Sequence, residues 1–508
     1  MSEPRRRHHR SASGTALVVV LVVVSLLSFA AYSFHDLMFA EYQAADAAGR
    51  AVQARLACES GAEKVQSLVK LDAFMLRERG GLYDNPAELQ AIAVVDGVHA
   101  ADRVRFSILA PAYAEGAETS LRYGLEDESA KLNLNALLTL QTDEADQRTR
   151  LMAVPGMSEE IADSILDWLD EDDEPREFGA EASYYSSLSP PYAPKNGPLT
   201  TLEELLLVRG VTPQHVFGLD ADRNGLADAA EQAAMLPAEV DNADRTFDRG
   251  WNGYFTLFGA EGNRKADGTS RININGEDLE TLYAELQAAG QADLASFIVN
   301  YRQSGPYTGS APPGIAAMPD FTKSARYKFA TPLDVVGAKT SATVQGTTIA
   351  IPSPVANDPL MLAQMLPILM DQLSTTDAEV VPGRLNINQA PRALLLGVPG
   401  LTEEQVDAII AMRYPEPTEQ MPGSEYPTWL LAQSIVTLDQ MKTLLPYVTA
   451  AGHVYRAQIV GYYDDAGPTA RVETLIDATS TSPRRLLWRE LTHLGPGFPK
   501  AALGTLGL

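Results

Sequence analysis

The chain has 508 residues, one cysteine and a formal net charge of −26, from 40 Lys and Arg against 66 Asp and Glu. This length exceeds what one hydrophobic core usually supports, so two or three domains are expected. The charge disfavours binding to nucleic acid or anionic lipid and suits binding of cations, and a single cysteine cannot form an intrachain disulfide.

The N-terminus carries a basic leader followed by an uncharged apolar run. Four arginines lie between residues 5 and 10, and the run extends from residue 14 to residue 34. About 20 residues without a charge can cross a bilayer as a helix, and arginines before them favour a cytoplasmic N-terminus. The sequence therefore predicts a single span at 15–35, with the remaining chain on the far side of the membrane.

A cleaved secretory signal is the alternative, because the core of this run has signal-peptide length and small residues follow up to Ala30. Against it, apolar residues continue at spacings of three and four as far as Val65, and no proline follows the leader before Pro86. This pattern predicts one helix from Thr15 to about Arg79.

The leader, ending in Gly14, and the long apolar helix resemble a type IV prepilin-like protein. The resemblance implies that a prepilin peptidase cuts after Gly14 and that Thr15 becomes the methylated N-terminus. Most members carry Glu at the fifth mature position, which is Val19 here. A buried carboxylate in that apolar layer is costly unless it is paired, and the resemblance implies that this Glu pairs with the free amine of the next subunit in the fibre. Val19 offers a neighbouring subunit no such acceptor. Within the family, this departure resembles the minor pseudopilin called protein K of type II secretion.

Strand patterns flank a large middle region. Alternating residues at 104–109 and 121–125 precede it, and those at 455–462, 470–476 and 485–488 follow it. We expect an α+β, pilin-like fold, in which one antiparallel sheet packs on the long helix and a mainly helical region is inserted between its strands.

The predicted organisation follows from this pattern. Its parts are a basic leader at 1–14, a transmembrane half-helix at 15–35, a pseudopilin helix with the first strands at 36–130, an inserted helical region at 131–445, and returning strands at 446–508.

The inserted region contains an internal repeat. Apolar-Asn-apolar-Asn motifs at 132–135, 272–275 and 385–388 each introduce a helical stretch. Two of them lead to a Pro-Gly turn, at 155–156 and 399–400, and then to another helix. This order is typical of helix-hairpin-helix (SAM-like) units.

Such hairpins raise the alternative of a secreted or anchored protein that binds or takes up DNA. Proteins of that kind hold phosphates with hairpin amides and nearby Lys or Arg. Here Glu159 and Glu160 follow the first turn, and Glu403 and Glu404 follow the second. Carboxylates at the start of a helix compete for the place of a phosphate, so we expect no nucleic-acid partner.

Residues 220–231 match the calcium-loop pattern D-x-D-x-N-G, five residues and Glu. Calcium takes about six to eight oxygen ligands, and Gly225 permits the sharp turn. A solvated acidic loop is the alternative. The predicted ligands are Asp220, Asp222, Asn224, the Leu226 carbonyl, Asp228 and Glu231.

A second acidic segment begins at Asp167 and Asp170. Clustered carboxylates repel one another unless a cation lies among them. Its spacing matches no metal loop by itself, so a charged helix end is an alternative, and a hydrolase with Asp167 and Asp170 as paired carboxylates is another. No H-E-x-x-H or G-x-S-x-G motif occurs in the chain, and we expect no enzyme.

The same segment carries a more specific resemblance to the protein K family. The resemblance implies calcium binding near Asp167, Asp170, Asp172 and Glu181. It also implies a cap that joins minor pseudopilins I and J on a fibre of the major pseudopilin, anchored in the inner membrane with most of the chain in the periplasm. The segments that carry it are 132–135, 167–170, 179–181, 184–185, 191–192, 196–198, 203–211 and 385–390.

The size of the head supports the same position. A head of about 420 residues has a radius of gyration near 22 Å, whereas helices of stacked subunits approach to about 10 Å. Such a head fits only where no subunit stacks above it.

Overall fold

The computed structural model describes residues 13–112, 120–139, 144–226, 231, 249–314, 318–344, 346–416 and 421–504. The helices are α1 (Ser13–Val69), α2 (Ala73–Glu78), α3 (Pro86–Leu89), α4 (Glu144–Met152), α5 (Glu159–Leu169), α6 (Ala182–Tyr185), α7 (Pro213–Phe217), α8 (Leu279–Ala288), α9 (Ala292–Ser304), α10 (Pro359–Gln372), α11 (Arg392–Leu396), α12 (Glu403–Met412), α13 (Trp429–Ala432) and α14 (Leu438–Leu444).

The strands are β1 (Ile92–Val95), β2 (Val104–Ala112), β3 (Ser120–Arg122), β4 (Glu126–Asp127), β5 (Leu132–Asn133), β6 (Phe255–Thr256), β7 (Ala260–Gly262), β8 (Ile272–Asn273), β9 (Lys339–Val344), β10 (Thr347–Pro352), β11 (Leu373–Ser374), β12 (Val380–Pro382), β13 (Leu385–Asn386), β14 (Val448–Thr449), β15 (Val454–Tyr463), β16 (Ala470–Asp477) and β17 (Arg484–Glu490).

Helix α1 is a single rod of 57 residues, about 85 Å long at 1.5 Å per residue. Its apolar first part is long enough to cross a membrane and is exposed in the isolated chain. Its second part packs on the sheet through small residues that include Ala54 and Ala57. The approach is close, since a Cβ at Gly461 would lie 2.0 Å from the Ala54 carbonyl oxygen. The predicted long helix packed on a sheet is thus confirmed.

The predicted end of this helix near Arg79 is wrong. Helix α1 ends at Val69, and a new helix, α2, starts after a short turn. The Asp72 carboxylate accepts a hydrogen bond from the Met75 amide at 2.8 Å, which caps the start of α2. The apolar spacing continues across this turn, and for this reason periodicity alone did not reveal it.

The main sheet is antiparallel, with strand order β1-β2-β15-β16-β17. The chain leaves it after β4, and β15 returns between β2 and β16, with Tyr455 opposite Asp127. The strands predicted on both sides of the insert are therefore neighbours. Strand β1 was not predicted; it is short, and three of its four residues are exposed.

The insert consists of three units with one arrangement. Each opens on a two-residue strand of the Asn motif and closes on a second two-residue strand that pairs with it in parallel. Asn133, Asn273 and Asn386 lie opposite Thr256, Ser374 and Thr449 respectively. We call residues 132–256 unit 1, residues 272–374 unit 2 and residues 385–449 unit 3.

Unit 2 connects to the molecule through a neck of two strands. Strands β7 and β12 pair antiparallel just outside its two ends, and the Asn263 amide donates to the Glu379 carbonyl at 2.9 Å. Unit 2 also contains the hairpin β9–β10, which is strand structure within a region that was expected to be mainly helical. Assignment of the helix pairs to the helix-hairpin-helix class stays a prediction.

Candidate metal centres

Helix α5 places the first acidic residues of unit 1. The Ser158 hydroxyl accepts from the Ile161 amide and caps the helix. Ile165 and Leu166 face the core of the insert. Asp163 and Asp167 are buried as well, and buried carboxylates require partners.

An aromatic cluster holds the end of α5 against the following loop. The Trp168 ring meets the edges of Tyr185 and Tyr192, with centroids 5.2 and 6.4 Å apart. The Trp168 indole also donates to Glu204 at 3.3 Å. This packing brings the loop after α5 back towards the carboxylates at the end of the helix.

Three carboxylates meet in this loop and form site A, which we define as Asp170, Asp172 and Glu181. One oxygen of each lies within 4.8 Å of one oxygen of the others. This distance suits three ligands of one cation, because Ca–O distances are about 2.3–2.6 Å. Three of the four predicted residues of this segment are therefore brought together.

The fourth, Asp167, has other partners. Its Oδ1 accepts from Nη1 of Arg176 at 2.7 Å, and the Arg176 amide donates to the same carboxylate at 3.3 Å. Gly179 makes this packing possible, since a Cβ there would lie 1.8 Å from Oδ2 of Asp167. Asp167 thus supports the loop that forms site A.

Glu181 is the residue of site A whose carboxylate has the fewest protein partners. It is 2% exposed, and neither of its carboxylate oxygens has a hydrogen-bond partner among the described residues. Burial, together with the charges of Asp167 and Asp170, raises the pKa of Glu181 to about 7. A buried carboxylate without a partner is costly, and a bound cation would remove that cost.

A second group, site B, consists of Asp220, Asp222 and Glu231, and their oxygens also lie within 4.8 Å of one another. Asp220 and Glu231 are each 6% exposed. Burial and the charges of Asp222 and Glu231 raise the pKa of Asp220 to about 7. The donor set of carboxylates fits calcium.

The other three predicted ligands of site B are Asn224, Leu226 and Asp228, and the first two have contacts within the protein. The Asn224 side-chain oxygen accepts from the Leu226 amide at 2.5 Å. The Leu226 side chain packs in the small core on the face of the sheet opposite α1. Asp228 lies outside the described residues.

Site B is part of unit 1 and lies where unit 1 contacts the main sheet. The Asn224 side chain donates to the Gly497 carbonyl at 2.5 Å, and Gln458 of β15 donates to the Arg223 carbonyl at 2.5 Å. Arg471 of β16 donates to the Asp222 carbonyl. An ion at this loop would thus be close to the contact between the insert and the sheet.

Sequence reasoning missed a buried ion network at the same junction. Glu128 is fully buried and pairs with Nε of Arg456 at 2.8 Å. Arg456 also pairs with Glu473 at 2.7 Å. Burial alone would raise the pKa of Glu128, but the Arg456 and Lys131 charges lower it to about 2. These residues are far apart in sequence, so no local pattern could have identified the network.

The remaining predictions concern the N-terminus and the hairpins. Gly14 and Thr15 lie in the first turn of α1, and cleavage and methylation there stay predictions. Glu159 and Glu160 occupy the first turn of α5, and Glu403 in the first turn of α12 pairs with Arg392 at 2.7 Å. This acidic surface disfavours phosphate binding at both helix starts.

A comparison with known proteins matches a segment that contains all of site A and, of site B, only Asp220. Residues 130–220 match a family model described as type II secretion system (T2SS), protein K. A putative type II secretion system protein K from Escherichia coli (strain K12) is 34% identical over 104 residues. This match covers 18% of the chain, which spans about a third (32%) of the length of that relative.

A likeness to a solved structure was also found. It is the crystal structure of the GspK-GspI-GspJ complex from the enterotoxigenic Escherichia coli type 2 secretion system, with 13% identity and a TM-score of 0.34. The likeness covers 91% of this chain and 98% of the other.

Proposed function

We propose that this chain is a minor pseudopilin of the type II secretion system, because residues 130–220 match the family model described as protein K of that system. The apolar part of α1 anchors it in the inner membrane, and the sheet and the three units lie in the periplasm. A prepilin peptidase cuts after Gly14, and Thr15 becomes the methylated N-terminus. The protein acts by assembly and has no catalytic activity.

The single observation that carries this proposal is how the family-matched segment is connected. Unit 1, which contains all but the first two residues of it, is inserted between β4 and β15 of a sheet that packs on a rod with an apolar, exposed lower part. A rod of this kind can be drawn from a membrane into a fibre of parallel rods. Neither a free periplasmic protein nor an enzyme requires it.

We place the chain at the tip of a short fibre that helps to export folded proteins across the outer membrane. The head is several times wider than the spacing of about 10 Å between packed helices, so a subunit above it would not fit. Val19 also removes the carboxylate with which most family members meet a neighbour's amine. The proposed partners are minor pseudopilins I and J, with the major pseudopilin below.

The proposed assembly can be tested with the full-length chain. We expect it to copurify from detergent-solubilised membranes as a complex with minor pseudopilins I and J of its own system. Mass spectrometry of the complex should show an N-terminus at methylated Thr15. Purification of the chain without either partner, or a mature N-terminus near Ala31, would contradict the proposal.

We further propose that sites A and B bind calcium and stabilise the insert. Both groups bring three carboxylate oxygens within 4.8 Å, and Glu181 in site A has no described partner. A ligand that binds only the folded state stabilises it by about 2.7 kcal/mol at a hundred times its dissociation constant.

Chelation should therefore lower the melting temperature of the full chain in detergent. Glu181→Gln should reduce the difference between chelator and calcium, because it removes one ligand charge from site A. Glu159→Gln, the same change at an exposed residue in the first turn of α5 outside both sites, is the control. A melting temperature that is the same in chelator and in excess calcium would refute calcium binding.

A further inference from the structure

We propose that Arg176 is an internal counter-cation of site A, which competes with the bound metal ion and thereby limits its affinity. The inference rests on the proposed calcium binding at this site. It concerns how strongly the site holds calcium and how the chain remains folded without it.

The contacts of Arg176 identify the carboxylates with which it competes. Its Nη1 lies 2.7 Å from Oδ1 of Asp167 and 2.5 Å from Oδ2 of Asp170, so a single nitrogen bridges the two carboxylates. Its Nε lies 2.7 Å from Oε1 of Glu144. The Arg176 side chain is 18% exposed and the Asp167 side chain is fully buried, so water and salt screen this contact less than that of a solvated ion pair.

Asp170 is the residue that Arg176 and site A share. Its Oδ2 is held by Arg176, whereas its buried Oδ1 has no hydrogen-bond partner among the described residues. Asp170 can therefore offer a cation one oxygen while Arg176 is in place. Bidentate binding, which calcium often uses, requires the guanidinium to move away.

Electrostatics acts in the same direction. A divalent ion held by Asp170 would lie one carboxylate away from the guanidinium, and like charges at that distance repel inside a protein. Without the ion, Arg176 offsets the repulsion between Asp167 and Asp170. The same side chain thus stabilises the metal-free loop and weakens binding of the metal.

Arg148 provides a matched control for the loss of one positive charge. Its Nη2 lies 2.6 Å from Oδ2 of Asp163, which is on α5 but outside site A. Its side chain is also partly exposed, at 31%. Arg148→Gln therefore changes the net charge near the site by the same amount without freeing a carboxylate of site A.

The experiment is a calcium titration by calorimetry of the full chain in detergent, in a Glu231→Gln background that impairs site B. We expect Arg176→Gln to bind calcium about tenfold more tightly than the background, whereas Arg148→Gln should change the affinity less than about threefold. In chelator, Arg176→Gln should melt at a lower temperature than the background. Arg176→Lys, which keeps the charge but loses the forked guanidinium, should bind about threefold more tightly.

Each result has one meaning. If Arg176→Gln and Arg176→Lys bind calcium no more tightly than the background, the inference is wrong, but the proposal that site A binds calcium still holds. An equal gain in Arg148→Gln also overturns it, because a general charge effect would then explain both. If neither the background nor the variants bind calcium, both the metal function and the inference are wrong.

Discussion

At the scale of single residues, the buried carboxylate of Asp127 holds together the junction between the insert and the sheet. Asp127 is 4% exposed and accepts from the Gly452 amide at 2.7 Å, the Asn386 side chain at 2.7 Å and the Ser129 amide at 2.8 Å. It therefore links the start of unit 1, the start of unit 3 and the approach to β15. Burial raises the pKa of Asp127 from 3.8 to about 6, against the effect of these hydrogen bonds.

This raised pKa predicts a pH dependence of stability. Below about pH 6 the folded chain binds a proton at Asp127, whereas the unfolded chain does so only near pH 4. The contribution of Asp127 to stability therefore increases as the pH falls from about 7 to 4. In Asp127→Asn this increase is absent, so the loss of unfolding free energy caused by the substitution should be larger at pH 5 than at pH 8.

Denaturant unfolding of both chains at the two pH values measures this difference. The other titrating groups are common to both chains and cancel to first order. A loss that is the same at pH 5 and pH 8 would show that Asp127 keeps an ordinary pKa.

At the scale of elements, units 2 and 3 share a polar contact in addition to the paired strands that all three units have. Arg302, on α9 of unit 2, donates to the Ile274 carbonyl at 2.8 Å. Arg413, just after α12 of unit 3, donates to the Ile387 carbonyl at 3.3 Å. In each case an arginine near the end of the helix holds the turn formed by the Asn motif.

The second Asn has the same role in units 1 and 2 and a different one in unit 3. Asn135 and Asn275 each exchange two hydrogen bonds with one later residue, Leu199 and Phe329 respectively. Asn388 instead donates to the Ser424 carbonyl at 2.9 Å and accepts from the Trp429 indole.

Unit 1 differs from the other two at the end of its helix. Helix α5 ends with Asp167 and Asp170 in the region where units 2 and 3 carry the arginine. The loop that follows contains Arg176, which pairs with both carboxylates. The acidic site is therefore a feature of one unit within a repeated framework.

At the scale of the whole molecule, unit 2 is an insertion within the insert. The residues that precede and follow unit 2 are adjacent in the neck, where the Asn263 amide donates to the Glu379 carbonyl. It also packs on unit 3, where the Tyr426 hydroxyl donates to Asp371 at 3.0 Å and Lys442 pairs with Asp334 at 3.4 Å. Because the two strands of the neck are adjacent, unit 2 can be deleted without separating the ends that it leaves. The stability lost on deletion depends on the contacts between unit 2 and unit 3.

We predict that the chain folds without unit 2. Replacing residues 264–378 by Asn-Gly would close β7 and β12 as a two-residue hairpin. The shortened chain should unfold cooperatively, with a melting temperature lower by about 2–4 °C for each kcal/mol of lost contact. Circular dichroism during heating measures both. A second version with a longer Gly-Ser linker controls for strain, and aggregation of both versions would contradict the prediction.

Much of this molecule could be predicted from local patterns. The apolar run of α1 and the strands at 104–109, 455–462 and 470–476 were visible in the sequence. The side chains of a helix or strand repeat their direction every 3.6 or 2 residues, so the local pattern of apolar residues identifies the element. The three Asn motifs and the calcium-type loop are also local, since their residues lie close in sequence.

The tertiary structure decided what depends on residues that meet across the fold. In the folded chain α1 ends at Val69, and Arg176 pairs with both Asp167 and Asp170, of which only Asp170 also contributes to site A. Glu128 pairs with Arg456 across 328 residues. Periodicity records which side of an element is buried but not which partner it meets. Charge pairing in a protein interior is set by distance and burial, and these exist only once the chain has folded.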